Sequence, residues 1–359
     1  MKIISVVGAR PQFIKLAVLS QKLRKKHREL ILHTGQHYDD KLSKIFFKEL
    51  KIPRPDFNLG IGSGNHGQQT SRMLEGIEKI LLKRHPDLVI VYGDTNSTLA
   101  GALAAAKLKI PLAHVEAGLR SYRKTMPEEI NRVVSDHLSD LLFCPTRTAV
   151  ENLKREGITK GIYLVGDVMY DSVLQNLKIA RKKSSVMNVL ALKPKEFHLV
   201  TIHRAENTDD HKNLKKIVNI LVSIRGKVIF PAHPRLRKSV KRYNLFKKLQ
   251  SKKDLALIDP VSYWDMLILE ESARFILTDS GGVQKEAFFL KTPCITLREE
   301  TEWIETVKKG MNKVTGLNLR KIKRILKGDP PLKTIGSGQF GNGRSSQKIS
   351  SIISRKTRA

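Results

Sequence analysis

Cysteine is almost missing from this chain: two occur in 359 residues, Cys144 and Cys294, each in an apolar stretch. Two distant thiols provide no disulfide framework and no C-x-x-C spacing for a metal. Both are expected as buried core residues. Aromatic residues make up only 6%, and they do not interleave with basic clusters in the manner that stacks on RNA. Long apolar runs are also lacking. None approaches the roughly 20 residues needed to span a bilayer. The apolar start, Ile3 to Val7, is too short for the core of a secretion signal before Gly8 and Arg10 interrupt it. A cytoplasmic protein without membrane insertion is the expectation. Acidic residues are the last scarcity: 34 Asp and Glu against 66 Lys and Arg leave a net charge of +32. That balance favours anionic partners in general. The cations are nevertheless spread along the chain, with mild clusters at 22–28, 235–241 and 320–327, as solvated helix faces and ends would be. Nucleic acid is therefore not the expected partner.

What the chain does have is a rhythm. A 359-residue chain with 40% hydrophobic residues suits two domains, each with its own core. Short apolar runs at 3–7, 30–33, 88–92, 112–115 and 141–144 read as buried strands, and 14–25, 70–82 and 98–107 between them read as helices. Alternation of this kind predicts an α/β fold with a parallel sheet covered on both faces. It restarts with strands at 199–202, 228–230, 256–258, 275–277 and 294–297. A turn and helix over 166–179 and a polar stretch to Ser185 separate the halves. The reading is residues 1–168 and 169–340 as two doubly wound domains, with 341–359 ending in a helix that crosses back to the first. Two such halves place a ligand crevice at the carboxyl ends of their strands.

Chemistry-bearing residues sit after those strands. Gly8-Ala9-Arg10-Pro11 follows the first, where Arg10, Lys15 and a helix start can receive a phosphate; an ordinary βα turn explains the stretch equally well. It is not G-x-G-x-x-G, so no nicotinamide fingerprint is present. Gly93-Asp94-Thr95 follows another strand, with Asp94 either a functional carboxylate or the N-cap of the next helix. His114-Val115-Glu116 puts a carboxylate at an apolar strand end, which is costly unless it is paired or functional. No second histidine stands at ligand spacing from His114, so no metal is expected. Pro127-Glu128-Glu129 opens a helix, whose dipole favours acids there. In the second half, His203-Arg204 suits a pyrophosphate. Asp279-Ser280-Gly281-Gly282 lets backbone approach a phosphate at a helix start, with Glu286 one turn on, placed to accept ribose hydroxyls.

Taken together and in order, Gly8–Pro11, His33–His37, Gly93–Thr95, His114–Arg120, Pro127–Arg132, His203-Arg204 and Asp279–Gly282 resemble the non-hydrolysing UDP-N-acetylglucosamine 2-epimerases. The resemblance runs from residue 1 to Gly343. It implies a glycosyltransferase-B fold of two Rossmann-like domains with a cleft between them, a homodimer, and a UDP-sugar as substrate, with no cofactor. Gly8–Lys15, Thr201–Asp210 and Asp279–Phe289 are most similar to the UDP-2,3-diacetamido-2,3-dideoxyglucuronate 2-epimerases of surface-polysaccharide synthesis. Gln12 stands where the family's commoner motif has Glu, and Ser121–Met126 is shorter than the matching segment of the N-acetylglucosamine enzymes. Gln36, His37 and Arg72 match part of the site where bacterial members bind a second, activating substrate; Asp39 replaces a glutamine of that site, and the regulation is not carried over.

The implied reaction is anti elimination of UDP to a 2-acetamidoglycal, then re-addition after protonation from the other face. Asp94, Glu116 and Glu128 are the expected acid, base and oxocarbenium stabiliser, and a carboxylate pair can split its pKa values between such roles. Arg10, His203 and the Ser280–Gly282 turn stabilise the departing pyrophosphate, with Lys15, Arg132 and Glu286 completing the binding set. Three rival readings are a UDP-sugar glycosyltransferase of the same fold, a hydrolysing epimerase, and a nucleic-acid-binding protein. The first needs an apolar acceptor site, the second usually a kinase domain, and the third salt-sensitive retention of RNA.

Overall fold

The computed structural model describes residues 1–36, 47, 49–232, 234–329 and 337–356. Its contacts divide the chain into two compact units, Met1–Gln175 with Gly336–Ala359, and Asn176–Ile335. Each is a parallel α/β sandwich. His37 and Asp39, named above, lie outside the described residues.

The first unit carries a seven-stranded sheet in the order β3-β2-β1-β4-β5-β6-β7. Its strands are β1 (Lys2–Val7), β2 (Arg28–His33), β3 (Phe57–Asn58), β4 (Leu88–Tyr92), β5 (Leu112–Val115), β6 (Leu141–Cys144) and β7 (Ile162–Leu164). The central strands are continuous apolar runs because both faces are covered. The helices are α1 (Arg10–Leu23), α2 (His66–Arg84), α3 (Asn96–Lys107), α4 (Pro127–Leu138) and α5 (Arg147–Arg155), and the unit boundary at Gln175 falls within α6 (Val168–Lys183). α1 starts four residues before the expected Ile14. Pro11 is compatible with a first helical turn, and Gln12 ties that turn down. The next helices are α7 (Val186–Val189), then α8 (Ala205–Thr208) and α9 (His211–Ser223) in the second unit.

The second unit carries a six-stranded sheet, β10-β9-β8-β11-β12-β13. Its strands are β8 (Phe197–Thr201), β9 (Lys227–Pro231), β10 (Leu255–Ile258), β11 (Phe275–Thr278), β12 (Cys294–Thr296) and β13 (Asn312–Val314). Its remaining helices are α10 (Pro234–Arg242), α11 (Phe246–Gln250), α12 (Tyr263–Ser272), α13 (Gly281–Phe289), α14 (Ile304–Lys308) and α15 (Leu319–Lys327). The last helix, α16 (Ser345–Lys356), belongs to the first unit and packs on α1 through Ile349 and Ile353. The amides at its N-terminus, which have no partner within the helix, are met by Asp171, whose carboxylate accepts from Ser345 N at 3.0 Å and Ser346 N at 2.8 Å. Both cysteines are buried and free. No helix among the described residues is long and apolar enough to cross a membrane.

Strand order reverses once in each sheet, between β1 and β4 and between β8 and β11. Carboxyl ends beside such a reversal are where open α/β sheets seat ligands. Gly8 and Asp94 follow the first pair; His203 and Ser280 follow the second.

One buried group of the second unit ties its stability to pH. His198 on β8 stacks against Phe275 with ring centroids 6.0 Å apart. Burial, reinforced by the Arg274 and Lys252 charges, pushes its pKa from 6.5 down to about 4. The unfolded chain therefore takes up this proton near pH 6.5, while the folded chain resists until about 4. Stability is fully present above 6.5 and falls as the pH drops through that window, at about 1.4 kcal/mol per pH unit. Urea unfolding is expected to show a loss of about 2 kcal/mol between pH 7 and pH 5 from this residue, absent in His198→Phe.

Candidate active site

In the first unit, the expected residues converge on the carboxyl ends of β1, β4 and β5. Gly8 fits there because of space. A Cβ at that position would lie 2.1 Å from Thr34 Oγ1 and 2.2 Å from Ser97 Oγ. Gln12 is buried and fixes the turn with its whole amide. Its Oε1 accepts from Gly8 N at 2.7 Å and Ala9 N at 2.9 Å. Its Nε2 donates to Tyr92 O at 2.9 Å and Thr98 Oγ1 at 3.1 Å. An ionised Glu would put a second acceptor against the Tyr92 carbonyl, so the amide matches these four partners as they are arranged here. Arg10 stands exposed at the helix start.

Asp94 is not the N-cap. That place belongs to Thr95, which forms a capping box with Thr98. The Asp94 carboxylate instead accepts from Arg132 Nη2 at 2.5 Å, and its main-chain carbonyl accepts from Asn131 Nδ2 at 3.0 Å. Arg132 also reaches Glu129 Oε2 at 2.9 Å. Glu116 forms an ion pair with Lys15, and both side chains are nearly buried. Lys15, expected on a phosphate, is thus engaged by the strand-end carboxylate. Gly93 packs against this pair. Glu116 sits in left-handed backbone, φ 75°, a conformation costing about 1–3 kcal/mol for a residue with a side chain. It is held there by Glu116 N and Ala117 N, which both donate to Phe143 O at 3.1 and 3.2 Å.

Each of Asp94 and Glu116 has its own cation, because a low-dielectric strand end tolerates a carboxylate best beside one. Glu129 is buried and committed: it accepts from Ser121 N, Ser121 Oγ and Tyr122 N, clamping the preceding loop. Glu128, its neighbour in the first turn of α4, has no hydrogen-bond or ion-pair partner among the described residues and is half-buried.

Behind these residues lies a fully buried network. His114 joins Asp136 Oδ1 through Nδ1 and the Gly93 carbonyl through Nε2, each at 2.7 Å. Asp136 also accepts from Gly118 N at 3.1 Å and from Arg120 Nη1 at 2.6 Å, and Arg120 continues to Glu156. Burial pushes the Asp136 carboxyl up, but the His114 and Arg120 charges outweigh it, and its pKa ends below the usual value. His114 is thus a supporting group. Asp136 escaped sequence reasoning because nothing local marks a helix acid as the partner of a residue 22 positions earlier.

In the second unit, Asp279 is fully buried after β11 and organises the segment after β8. It accepts from His203 N at 3.1 Å, Arg204 N at 3.2 Å and Asn207 Nδ2 at 2.9 Å. His203 is half-exposed, with Nδ1 3.6 Å from Asp279 Oδ1. Ser280 is the N-cap of α13, its hydroxyl accepting from Val283 N at 3.4 Å. Gly281 and Gly282 form the first turn, and Glu286 is buried one turn later. A Cβ on Gly281 would come within 2.5 Å of Glu302 Oε1, so its smallness admits a protein neighbour. That neighbour belongs to a second unforeseen cluster, in which Arg298 Nη1 donates to Glu302 at 3.0 Å and Thr301 Oγ1 donates to Gln284 at 2.6 Å. Gln36, from the activator motif, accepts from Ser97 N and Oγ, and Arg72 is exposed on α2.

A family model described as UDP-N-acetylglucosamine 2-epimerase matches residues 21–354. A UDP-N-acetylglucosamine 2-epimerase homolog of Methanococcus maripaludis is 56% identical over 355 residues, 98% of this chain and 99% of its own. The UDP-2,3-diacetamido-2,3-dideoxy-D-glucuronate 2-epimerase of Pseudomonas aeruginosa is 46% identical over 99% of this chain and 100% of its own. A crystal structure of Methanocaldococcus jannaschii UDP-GlcNAc 2-epimerase in complex with UDP-GlcNAc and UDP superposes with a TM-score of 0.94 at 49% identity, covering 99% of this chain and 100% of that one.

Proposed function

The chain belongs to the UDP-N-acetylglucosamine 2-epimerase family, and from that premise we propose that it inverts C2 of a UDP-linked 2-acetamido sugar without releasing the free sugar. The fold is of the glycosyltransferase-B type. UDP-N-acetylglucosamine and its 2,3-diacetamidoglucuronate analogue are the two substrates in view. We further propose a cytoplasmic homodimer that supplies surface-polysaccharide synthesis.

The C2 hydrogen of such a sugar is not α to a carbonyl, so removing it alone is prohibitive. Expelling UDP together with the proton avoids the problem. The C2 proton passes to a carboxylate, the C1–O bond breaks, and UDP leaves with the electron pair, giving the 2-acetamidoglycal. A second group returns a proton to the opposite face of C2, and UDP adds back at C1. This route balances without an oxidant or a metal. The observation that carries it is the grouping of Asp94 and Glu116 at adjacent strand ends, beside the helix that bears Glu128.

Asp94, Glu116 and Glu128 take the proton-transfer and cation-stabilising roles, with Arg132 and Lys15 holding the first two. In the second unit, His203, the Ser280-Gly281-Gly282 turn and Glu286 take the nucleotide; in the first, Arg10 is assigned to phosphate charge. Charge stabilisation of a leaving pyrophosphate is worth several kcal/mol.

Incubation with each of the two UDP-sugars, followed by NMR of the C2 and anomeric protons, tests the reading. One of them is expected to equilibrate with its C2 epimer as an intact nucleotide sugar. Release of free 2-acetamido sugar would indicate the hydrolysing class instead. Transfer to an acceptor with C2 unchanged would indicate a glycosyltransferase.

A further inference from the structure

The net charge of +32 is not evenly laid over the second unit. From His211 to Lys253 fourteen residues are Lys or Arg and none is Asp or Glu; from Thr306 to Gly328 eight are basic and none acidic. These stretches contain α9, α10, α11 and α15. All four helices bury their apolar sides in one cluster on one face of the second sheet, through Leu214, Ile217, Leu236, Val240, Leu249 and Ile322. The topology explains the sharing. The helices after β8 and β9 lie on one face by the right-handed crossover rule, those after β11 and β12 on the other, and α15 packs back onto the first. The elements α12, α13 and α14 carry Asp265, Glu270, Glu271, Glu286 and Glu305. Three of those acids, Glu270, Glu286 and Glu305, are buried, so what marks the α9–α10–α11–α15 face is that its stretches hold no acid at all, a pattern that solubility alone does not require, since mixed signs serve it as well.

The outward side chains of this layer include Lys215, Lys216, Lys241, Lys248, Lys323 and Lys327, all exposed. None of these six forms an ion pair among the described residues. Most exposed cations of the layer are lysines, compact and strongly hydrated, which suit a diffuse field of anions better than the forked contacts that arginine makes to individual phosphates. Among the described residues of the layer, no aromatic stands free as a stacking platform for nucleic acid except Phe246. Tyr243 is already engaged, its hydroxyl donating to Asp209 O at 2.6 Å and its ring flanked by His211 and Arg242. One apolar side chain does stand out within the layer: Phe246, exposed and followed by Lys247 and Lys248. Basic residues around a projecting aromatic are the composition of a surface that lies on an anionic bilayer.

We propose that the α9–α10–α11–α15 face docks peripherally on anionic membrane surfaces. The lysines supply long-range attraction, and Phe246 settles at the headgroup boundary. Docking needs no insertion of a helix and leaves the strand ends of the unit, where His203 and Ser280 lie, on a different part of its surface.

The test is co-sedimentation of the full-length protein with phosphatidylcholine vesicles prepared with and without phosphatidylglycerol. Binding is expected only with the anionic lipid and is expected to be released by raised salt. Each lysine near such a surface contributes roughly five-fold, so the triple variant Lys215→Glu, Lys248→Glu, Lys323→Glu is expected to lower partitioning by at least about 100-fold. Its far-ultraviolet circular dichroism and UDP-sugar turnover are expected to stay at the parent level. Should that variant fold poorly, the milder Lys→Gln set and Phe246→Ser carry the same test, each weakening retention. Equal binding to neutral vesicles, or none to anionic ones, overturns the proposal. So does salt-sensitive retention of RNA by a protein that ignores anionic vesicles, which assigns the face to nucleic acid.

Discussion

Replacing Glu128 by glutamine is expected to lower turnover by about 10²–10⁴-fold, the usual worth of a general acid or base, while leaving thermal stability unchanged. Glu128 is the clean site for this experiment. Among the described residues it has no partner to lose, and glutamine preserves its shape. The same change at Glu116 would leave the Lys15 ammonium nearly buried beside a neutral amide, and breaking such a pair destabilises by about 3–5 kcal/mol. A Glu116→Gln enzyme would therefore confuse lost chemistry with lost structure. Asp94→Asn has a milder version of that problem through Arg132. UDP affinity is expected to survive in Glu128→Gln, because the nucleotide is assigned to other residues. Normal turnover would reduce Glu128 to a helix-start acid favoured by the dipole. Glu129 would then be a poor substitute, since its carboxylate is occupied by the Ser121–Tyr122 loop and Arg132.

The second large effect is structural. Asp136→Asn is expected to cost about 3–5 kcal/mol of unfolding free energy at neutral pH, read by urea denaturation. Asparagine cannot offer two acceptor oxygens to His114, Arg120 and the Gly118 amide at once. The pH dependence carries the sign. The folded-state pKa of Asp136 lies below its unfolded value, so its contribution is present above about pH 4 and is lost as pH falls through the folded value. The variant should lack that part of the acid limb. Turnover should fall as well, because His114 holds the Gly93 carbonyl next to Asp94. A variant as stable as the parent would mean that the network is better hydrated than its full burial implies.

These two residues show where sequence reading succeeds and stops. The long central strands are visible in the chain because burial on both faces makes them unbroken apolar runs. β3, β7 and β13 escaped, being two or three residues long with half-exposed positions and no run to detect. Local signals placed Asp94, Glu116, His203 and Ser280 at strand ends. They did not reveal partners, because partnership is made by the sheet: Lys15 meets Glu116 across 101 positions, and Ser97 meets Gln36 across 61. Asp94 looked like a helix cap only because Thr95, which holds that role, looks equally suitable. Gln12 read as a departure at the active site, whereas it is an amide serving two donors and two acceptors in the turn.

The central claim, proton removal and return at C2 with UDP expelled between, is tested most directly by running the reaction in deuterium oxide and examining C2 of the product UDP-sugar by NMR and mass spectrometry. The account predicts one deuterium at C2 of the inverted product, because the proton taken from one face is replaced from a group that exchanges with solvent. Inversion with the original hydrogen fully retained at C2 would contradict it.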